Sequence, residues 1–155
     1  MAEPINADKV LSVAIDMENT GKTFYEALAH GCGKPDMAKL CIRLAREETK
    51  HAAVFSRMLN QLSKGDRTMP LDDDQAEQFH LAIKDAVIPR PQKVRDVVLH
   101  GGIGDALAMA ARMEQDSIRY YENVLRPIQP EQASAVNLII SEERKHLADL
   151  RAQMV

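Results

Sequence analysis

Glu48-Thr49-Lys50-His51 and Glu143-Arg144-Lys145-His146 share one spacing, Glu-x-x-His, at an offset of 95 residues. On a helix a three-residue step turns through nearly a full circle, so Glu and His in each stretch leave by the same face. A carboxylate beside an imidazole on a buried face is costly unless something cationic lies between them. A metal ion is the natural candidate. One such motif is a weak signal, because helices carry Glu and His freely. Two, each set in an apolar helical pattern, ask which other residues would complete a site.

An internal repeat supplies them. Glu18 through Tyr25-Glu26 matches Glu114 through Tyr121-Glu122 at an offset of 96, and Glu47 through His51 matches Glu142 through His146 at 95. Each half therefore carries one Glu, a Tyr seven residues later, and a Glu-x-x-His on the following segment. Two copies of a half-site imply one site with approximate two-fold symmetry.

The hydrophobic periodicity places these residues on four long helices. Helix one is expected from Asn6 or Asp8 to a C-terminal Gly31, with Leu11, Ala14 (with Ile15), Glu18, Gly21, Tyr25 and Leu28 along one stripe. Helix two follows Gly31-Cys32-Gly33, opens near Pro35 and ends at Gly65. Its inward face reads Leu40, Leu44, Glu48, His51, Phe55, Met58 and Leu62. Helix three runs from Asp105 to Arg126, stopped by Pro127, with Leu107, Ala110, Glu114, Ser117, Tyr121 and Leu125 inward. Helix four follows Pro130 and presents Ala135 or Val136, Ile139, Glu143, His146 and Leu150. Short turns make helices one and two, and three and four, antiparallel hairpins.

Between them, Ser63 to Gly104 reads as a crossover with a short helix of its own. Pro70 and Asp72-Asp73-Asp74 mark its start, Phe79, Ile83 and Val87 its apolar face, and Pro89 and Pro91 its break. A bundle helix of about 24 residues spans about 36 Å. The crossover can return along that length and set helix three parallel to helix two.

The 155 residues suit one domain spanning 1–155. Apolar residues make up 45%, aromatics 4%, Trp is absent, and Ala, Leu, Met, Glu, Gln, Lys and Arg dominate, which is helix-forming composition. The net charge of −3 argues against a nucleic-acid surface. No apolar run reaches membrane-spanning length, and Met1 to Asn6 lacks the plan of a signal peptide, so a cytoplasmic location is expected. Cys32 and Cys41 are too few for a disulfide framework or a four-cysteine metal site.

Four carboxylates and two imidazoles directed inward from four helices have the composition of a di-iron or di-manganese carboxylate site. Glu18, Glu48, Glu114 and Glu143 bring −4 and two divalent ions bring +4, so the filled site is neutral. Oxygen and nitrogen donors without thiolate suit iron or manganese.

Over essentially its whole length the chain resembles the rubrerythrin branch of the ferritin-like family. Glu18, Glu48, His51, Glu114, Glu143 and His146 fall where that family places its six ligands, and Tyr25 and Tyr121 match tyrosines that hydrogen-bond to ligand carboxylates there. The resemblance implies a ferritin-like four-helix bundle with a long crossover between helices two and three. It also implies that Glu48 and Glu143 bridge two iron ions, with manganese as the alternative metal. Glu18 and Glu114 would be terminal ligands, and His51 and His146 would each cap one metal. The implied activity is oxidation of a diferrous site by hydrogen peroxide or dioxygen. A ferroxidase role in iron storage or detoxification is the alternative, and a purely structural metal the second.

Two features depart from the family. Full rubrerythrins carry a rubredoxin domain with paired Cys-x-x-Cys motifs, and this sequence has none, so a separate donor, rubredoxin-like or another reductase, is expected. Members acting as peroxidases add a Glu on helix three, whereas Ala110, Ala111, Ser117 and Ile118 lie one turn from Glu114 here. A homo-oligomer is expected, with a dimer favoured, and neither nucleic acid nor membrane as partner.

The remaining candidates read more plainly. Glu47 and Glu142 sit about 100° from their neighbours Glu48 and Glu143 and are expected to face solvent. Glu26, Glu122, His30 and His100 are expected at the surface, and His80 lies on the crossover helix. Cys32 and Cys41 have no neighbour in sequence that would lower a thiol pKa. The eight Met residues are expected as core filler.

Overall fold

A computed structural model of the chain describes residues 4–84, 86 and 91–154. The described residues form helices α1 (Ala7–Gly31), α2 (Pro35–Gln61), α3 (Lys64–Thr68), α4 (Asp73–Lys84), α5 (Pro91–His100) and α6 (Gly102–Tyr120). A wide π turn (Tyr121–Leu125), the short α7 (Arg126–Ile128), a 3-10 turn (Pro130–Gln132) and α8 (Ala133–Gln153) complete them. The four long helices anticipated from periodicity are α1, α2, α6 and α8, arranged as a helical bundle. No described helix is long and apolar enough to cross a membrane.

Two apolar clusters fill the bundle, and the carboxylates lie between them. Val10, Leu11, Ala14, Phe55, Met58, Tyr121, Leu125, Val136 and Ile140 form one. Phe24, Leu28, Leu44, Ala110, Met113 and Leu150 belong to the other. Along α1 the chain passes from the first cluster through Glu18 to the second, and α8 makes the same passage through Glu143 and His146. Along α2 and α6 the order reverses. Helix α6 therefore runs parallel to α2, as the crossover requires. Buried carboxylates are tolerated here because the apolar layers above and below, rather than the polar layer, supply the burial that favours folding.

Helix boundaries differ from expectation where turn chemistry intervenes. Helix α1 runs through Gly31, and the left-handed residue is Gly33, with φ +67°. Helix α2 stops at Gln61, short of Gly65, because Ser63 caps a new helix by accepting a hydrogen bond from Asp66 N at 3.0 Å. Asp72 opens α4 with reciprocal bonds: Gln75 N donates to Asp72 Oδ1 at 2.7 Å, and Asp72 N donates to Gln75 Oε1 at 3.0 Å.

Helix α4 ends at Lys84, before the prolines, and Pro91 itself starts α5, a helix that reading it only as a breaker misses. Proline suits a first helical position, where its absent N–H has no partner to lose. Buried Val94 ties α5 to the cluster of Phe24 and Leu28. Val87 and Pro89 lie outside the described residues. Helix α6 opens at Gly102 (φ +81°), three residues before the expected Asp105. Helicity also passes Pro127, through the π turn into α7. A proline ring clashes with the carbonyl four residues back, and a wider turn relieves that clash.

Candidate metal centre

The six residues singled out by the repeat converge. Glu18, Glu48, His51, Glu114, Glu143 and His146 are each between 1% and 3% exposed. They fall into two groups, Glu18, Glu48, His51 and Glu143, and Glu48, Glu114, Glu143 and His146. Within each group one donor atom per residue lies within 4.8 Å of the others, so one ion could touch all four. Glu48 and Glu143 belong to both groups, which gives the approximate two-fold symmetry its axis.

Both histidines turn Nδ1 inward. His51 Nδ1 lies 3.2 Å from Glu143 Oε1 and 3.5 Å from both Glu18 and Glu48. His146 Nδ1 lies 2.9 Å from Glu143 Oε2, 3.5 Å from Glu48 Oε1 and 3.6 Å from Glu114 Oε1. The rings stack, 5.7 Å between centroids. Gly21 borders the site: a Cβ there would stand 3.4 Å from Glu48 Oε1, so glycine leaves that carboxylate free space.

The outward Nε2 atoms correct one expectation. Glu47 and Glu142 do not simply face solvent. His51 Nε2 meets Glu142 Oε2 at 2.6 Å, and His146 Nε2 meets Glu47 Oε2 at 2.6 Å. A glutamate side chain is long enough to reach back from 100° away, and its target is the histidine of the other hairpin. The signal lay in the repeat itself, which pairs Glu47-Glu48 with Glu142-Glu143. Such carboxylates fix the ring tautomer and raise the donor strength of the inner nitrogen.

The tyrosines are hydrogen-bond donors to the site, and they too cross between halves. Tyr25 on α1 donates to Glu114 Oε1 at 2.5 Å, and Tyr121 donates to Glu18 Oε1 at 2.5 Å. Tyr120, by contrast, is a core tyrosine whose hydroxyl donates to the Val10 carbonyl at 2.7 Å. Ser117 is half-buried. Glu26, His30, His80 and His100 are exposed, while Glu122 is half-buried and paired with Arg144. Cys32 and Cys41 are buried free thiols, and burial pushes the Cys41 thiol up to about 12.

Electrostatics divides the carboxylates into two kinds. Burial, followed by repulsion from the other carboxylates, holds Glu48 and Glu143 well above the ordinary value, even though both histidines oppose this at Glu143. Burial also disfavours charge on Glu18, but hydrogen bonds involving Glu48 and His51 outweigh it and hold that carboxyl at about 2. Glu114 is likewise lowered, by His146 and Glu143 against burial. The histidines gain protons: burial works against charge, yet Glu114 and Glu143 lift His146 to about 11, and Glu143, Glu18 and Glu48 lift His51 further. Among the described residues at the cluster, the two imidazoles are the groups that can carry positive charge to offset the carboxylates.

That compensation is incomplete. Glu18 Oε2, Glu48 Oε2, Glu143 Oε2 and His146 Nδ1 are buried without a hydrogen-bond partner. His146 Nδ1 and Glu143 Oε2 lie close together but do not meet in hydrogen-bonding geometry. Four orphaned donor atoms from three helices, all oxygen or imidazole nitrogen, fit hard or borderline divalent cations.

The family profile for rubrerythrin matches residues 9–154. The chain belongs to the rubrerythrin family. Among solved structures, this rubrerythrin-family chain is similar to a Thermotoga maritima protein described as a ferritin-like diiron-carboxylate protein. The identity is 23% over 99% of this chain and 97% of that one, with a TM-score of 0.73, which is a likeness of fold. No curated protein sequence matches the chain significantly. Rubrerythrin membership and the buried Glu/His cluster together indicate a site for two metal ions.

Proposed function

We propose that Glu18, Glu48, His51, Glu114, Glu143 and His146 hold two iron ions, with manganese the alternative, and that the chain is an oxidoreductase consuming hydrogen peroxide or dioxygen. The observation that carries this reading is that both four-residue groups share Glu48 and Glu143. Two ions placed side by side under two common carboxylates can act as one two-electron unit. As iron, such a pair would supply the two electrons that, with two protons, convert hydrogen peroxide to two waters.

The chain's own residues prepare that chemistry in three ways. Tyr25 and Tyr121 each donate to one oxygen of a terminal carboxylate, which orients Glu114 and Glu18, and the second oxygen of Glu18 is left without a hydrogen-bond partner. Glu142 and Glu47 accept from the outer nitrogens of His51 and His146, which leaves the inner nitrogens as donors toward metal. The apolar clusters above and below exclude bulk water and strengthen every charge interaction between them.

Electrons to restore the site come from outside these 155 residues. Cys32 and Cys41 cannot form paired Cys-x-x-Cys motifs, and Cys41 is held as a thiol. A separate donor, rubredoxin-like or another reductase, fills this role. Anaerobic loading with ferrous iron followed by peroxide tests the reading: two irons per chain oxidise once and then stall until a reductant is supplied. Sustained turnover from NADH by the purified chain alone contradicts the external donor. Continuous oxidation of added ferrous iron with release of ferric product points to iron handling instead.

A further inference from the structure

The repeat holds through the carboxylates behind the histidines and fails one layer further out. Behind Glu47 stands Arg43, with Nη1 3.8 Å from Glu47 Oε2. Arg43 Nη2 is in turn 2.7 Å from Asp149 Oδ2 on α8. At the same offset of 95 the second half has Leu138 in place of Arg43, and Val54 stands where the match to Asp149 would fall. Leu138 is exposed and Val54 is half-buried, and neither can restrain a carboxylate. Among the described residues, His51 is the one polar partner of Glu142, whose side chain is 45% exposed against 31% for Glu47.

Stability does not explain the pair, because ion pairs this exposed add little to it. Position does. Arg43 makes its shorter contact with Asp149, 2.7 Å against 3.8 Å to Glu47, which leaves Glu47 Oε2 to its 2.6 Å contact with His146 Nε2. Meanwhile the Arg43–Asp149 bridge spans α2 and α8 across the outer edge of that histidine and fixes where Glu47 sits. Outer partners of a ligating histidine set its ring orientation, and losing one typically costs about 10–100-fold in metal affinity.

We propose that Arg43 and Asp149 make the two metal positions unequal, so that the ion held by Glu114 and His146 is retained while the ion held by Glu18 and His51 is the exchangeable one. Arg43 is a positioning residue, acting through Glu47. This inference rests on the two-metal reading above. Loss and replacement of metal then proceed through one end of the site, the end backed by Glu142.

The test is metal release rather than turnover. Protein loaded anaerobically with two equivalents of ferrous iron is mixed with a chromogenic ferrous chelator, and release is followed by absorbance. The wild type releases its irons in two separated phases of equal size. Arg43→Leu, which copies the other half, speeds the slow phase by roughly tenfold, the lower end of the outer-partner effect, and leaves the fast phase unchanged. Arg43→Lys restores most of the slow phase. Release of two irons in one phase, or an Arg43→Leu variant that alters both phases equally or neither, overturns the inference and leaves the two-metal reading standing. A wild type that binds fewer than two irons fails that reading, and the inference with it.

Discussion

The hydroxyl of Tyr25 donates to Glu114, 89 positions away in the chain, rather than to Glu18 on its own helix. Tyr121 reciprocates to Glu18. The histidine–glutamate contacts follow the same rule, His51 with Glu142 and His146 with Glu47. The hydrogen bonds from Tyr25 and Tyr121, and the contacts made by the outward histidine nitrogens, thus join the two hairpins instead of bracing one.

Removing either tyrosine hydroxyl leaves a buried carboxylate oxygen without its donor, at a cost of about 1–3 kcal/mol. Tyr25→Phe and Tyr121→Phe are expected to lower the stability of metal-free protein by similar amounts in that range, because the two bonds are related by the repeat. Equilibrium denaturant unfolding measures this. Tyr120→Phe is a useful contrast, since its bond goes to the Val10 carbonyl and not to the site.

Glu47→Gln and Glu142→Gln keep the shape of the side chain but weaken the acceptor behind each histidine. Each is expected to reduce metal affinity by about 10–100-fold, as outer partners of ligating histidines do. Glu26→Gln, at an exposed position, is expected to change nothing. Metal titration with a competing chelator separates the three.

The metal-free protein carries a pH dependence whose sign follows from the shifts. Glu48 and Glu143 hold protons more tightly when folded, so their contribution is complete below the ordinary carboxyl value of 4.5 and is lost as pH rises. His146 acts in the same direction over a higher window, complete below 6.5 and lost through about 11, and His51 joins it. Glu18 acts oppositely: its contribution is present above 4.5 and is lost as pH falls toward about 2, with Glu114 alongside. From these six groups, stability of the metal-free chain peaks near pH 4.5 and declines on both sides. Bound metal displaces the site protons and is expected to flatten the neutral-to-alkaline decline. Thermal unfolding with chelator and with ferrous iron, from pH 4 to 8, reads both effects.

Glu48 belongs to both four-residue groups, so Glu48→Ala is expected to abolish paired-metal binding. Ferrous iron raises the melting temperature of the wild type, because metal binds the folded arrangement far better than the unfolded chain. It should leave that of the variant nearly unchanged. Without metal, Glu48→Ala is expected to be at least as stable as the wild type, since it removes one buried carboxylate from a repelling set. Equal stabilisation of both proteins by ferrous iron would place the ions elsewhere.

The six clustered residues are legible in the sequence because glutamate in the middle of an apolar stripe contradicts its own helix, and the repeat shows the contradiction twice. The four long helices are legible for the same reason of period. What escapes is decided by reach and by turns. Glu47 and Glu142 lie off the inward stripe, and only side-chain length and the position of the opposite helix bring them to the histidines. Helix α5 hides behind Pro91, which is a breaker inside a helix and a good start for one. The π turn at Tyr121–Leu125 answers a steric clash from Pro127 and leaves no mark on the hydrophobic pattern.

The crossing of contacts makes the two hairpins mutually dependent. A hairpin bearing Glu, then Tyr, then Glu-Glu-x-x-His has a tyrosine with no carboxylate of its own to serve and a histidine with no acceptor behind it. Paired with a second copy of itself, it has both. Neither hairpin of this chain completes its own half of the site, because each one's tyrosine and outward histidine nitrogen are met by carboxylates of the other. The crossover connects the two hairpins, and the repeat departs from exact symmetry at Arg43 and Leu138 and at Gly21 and Ser117.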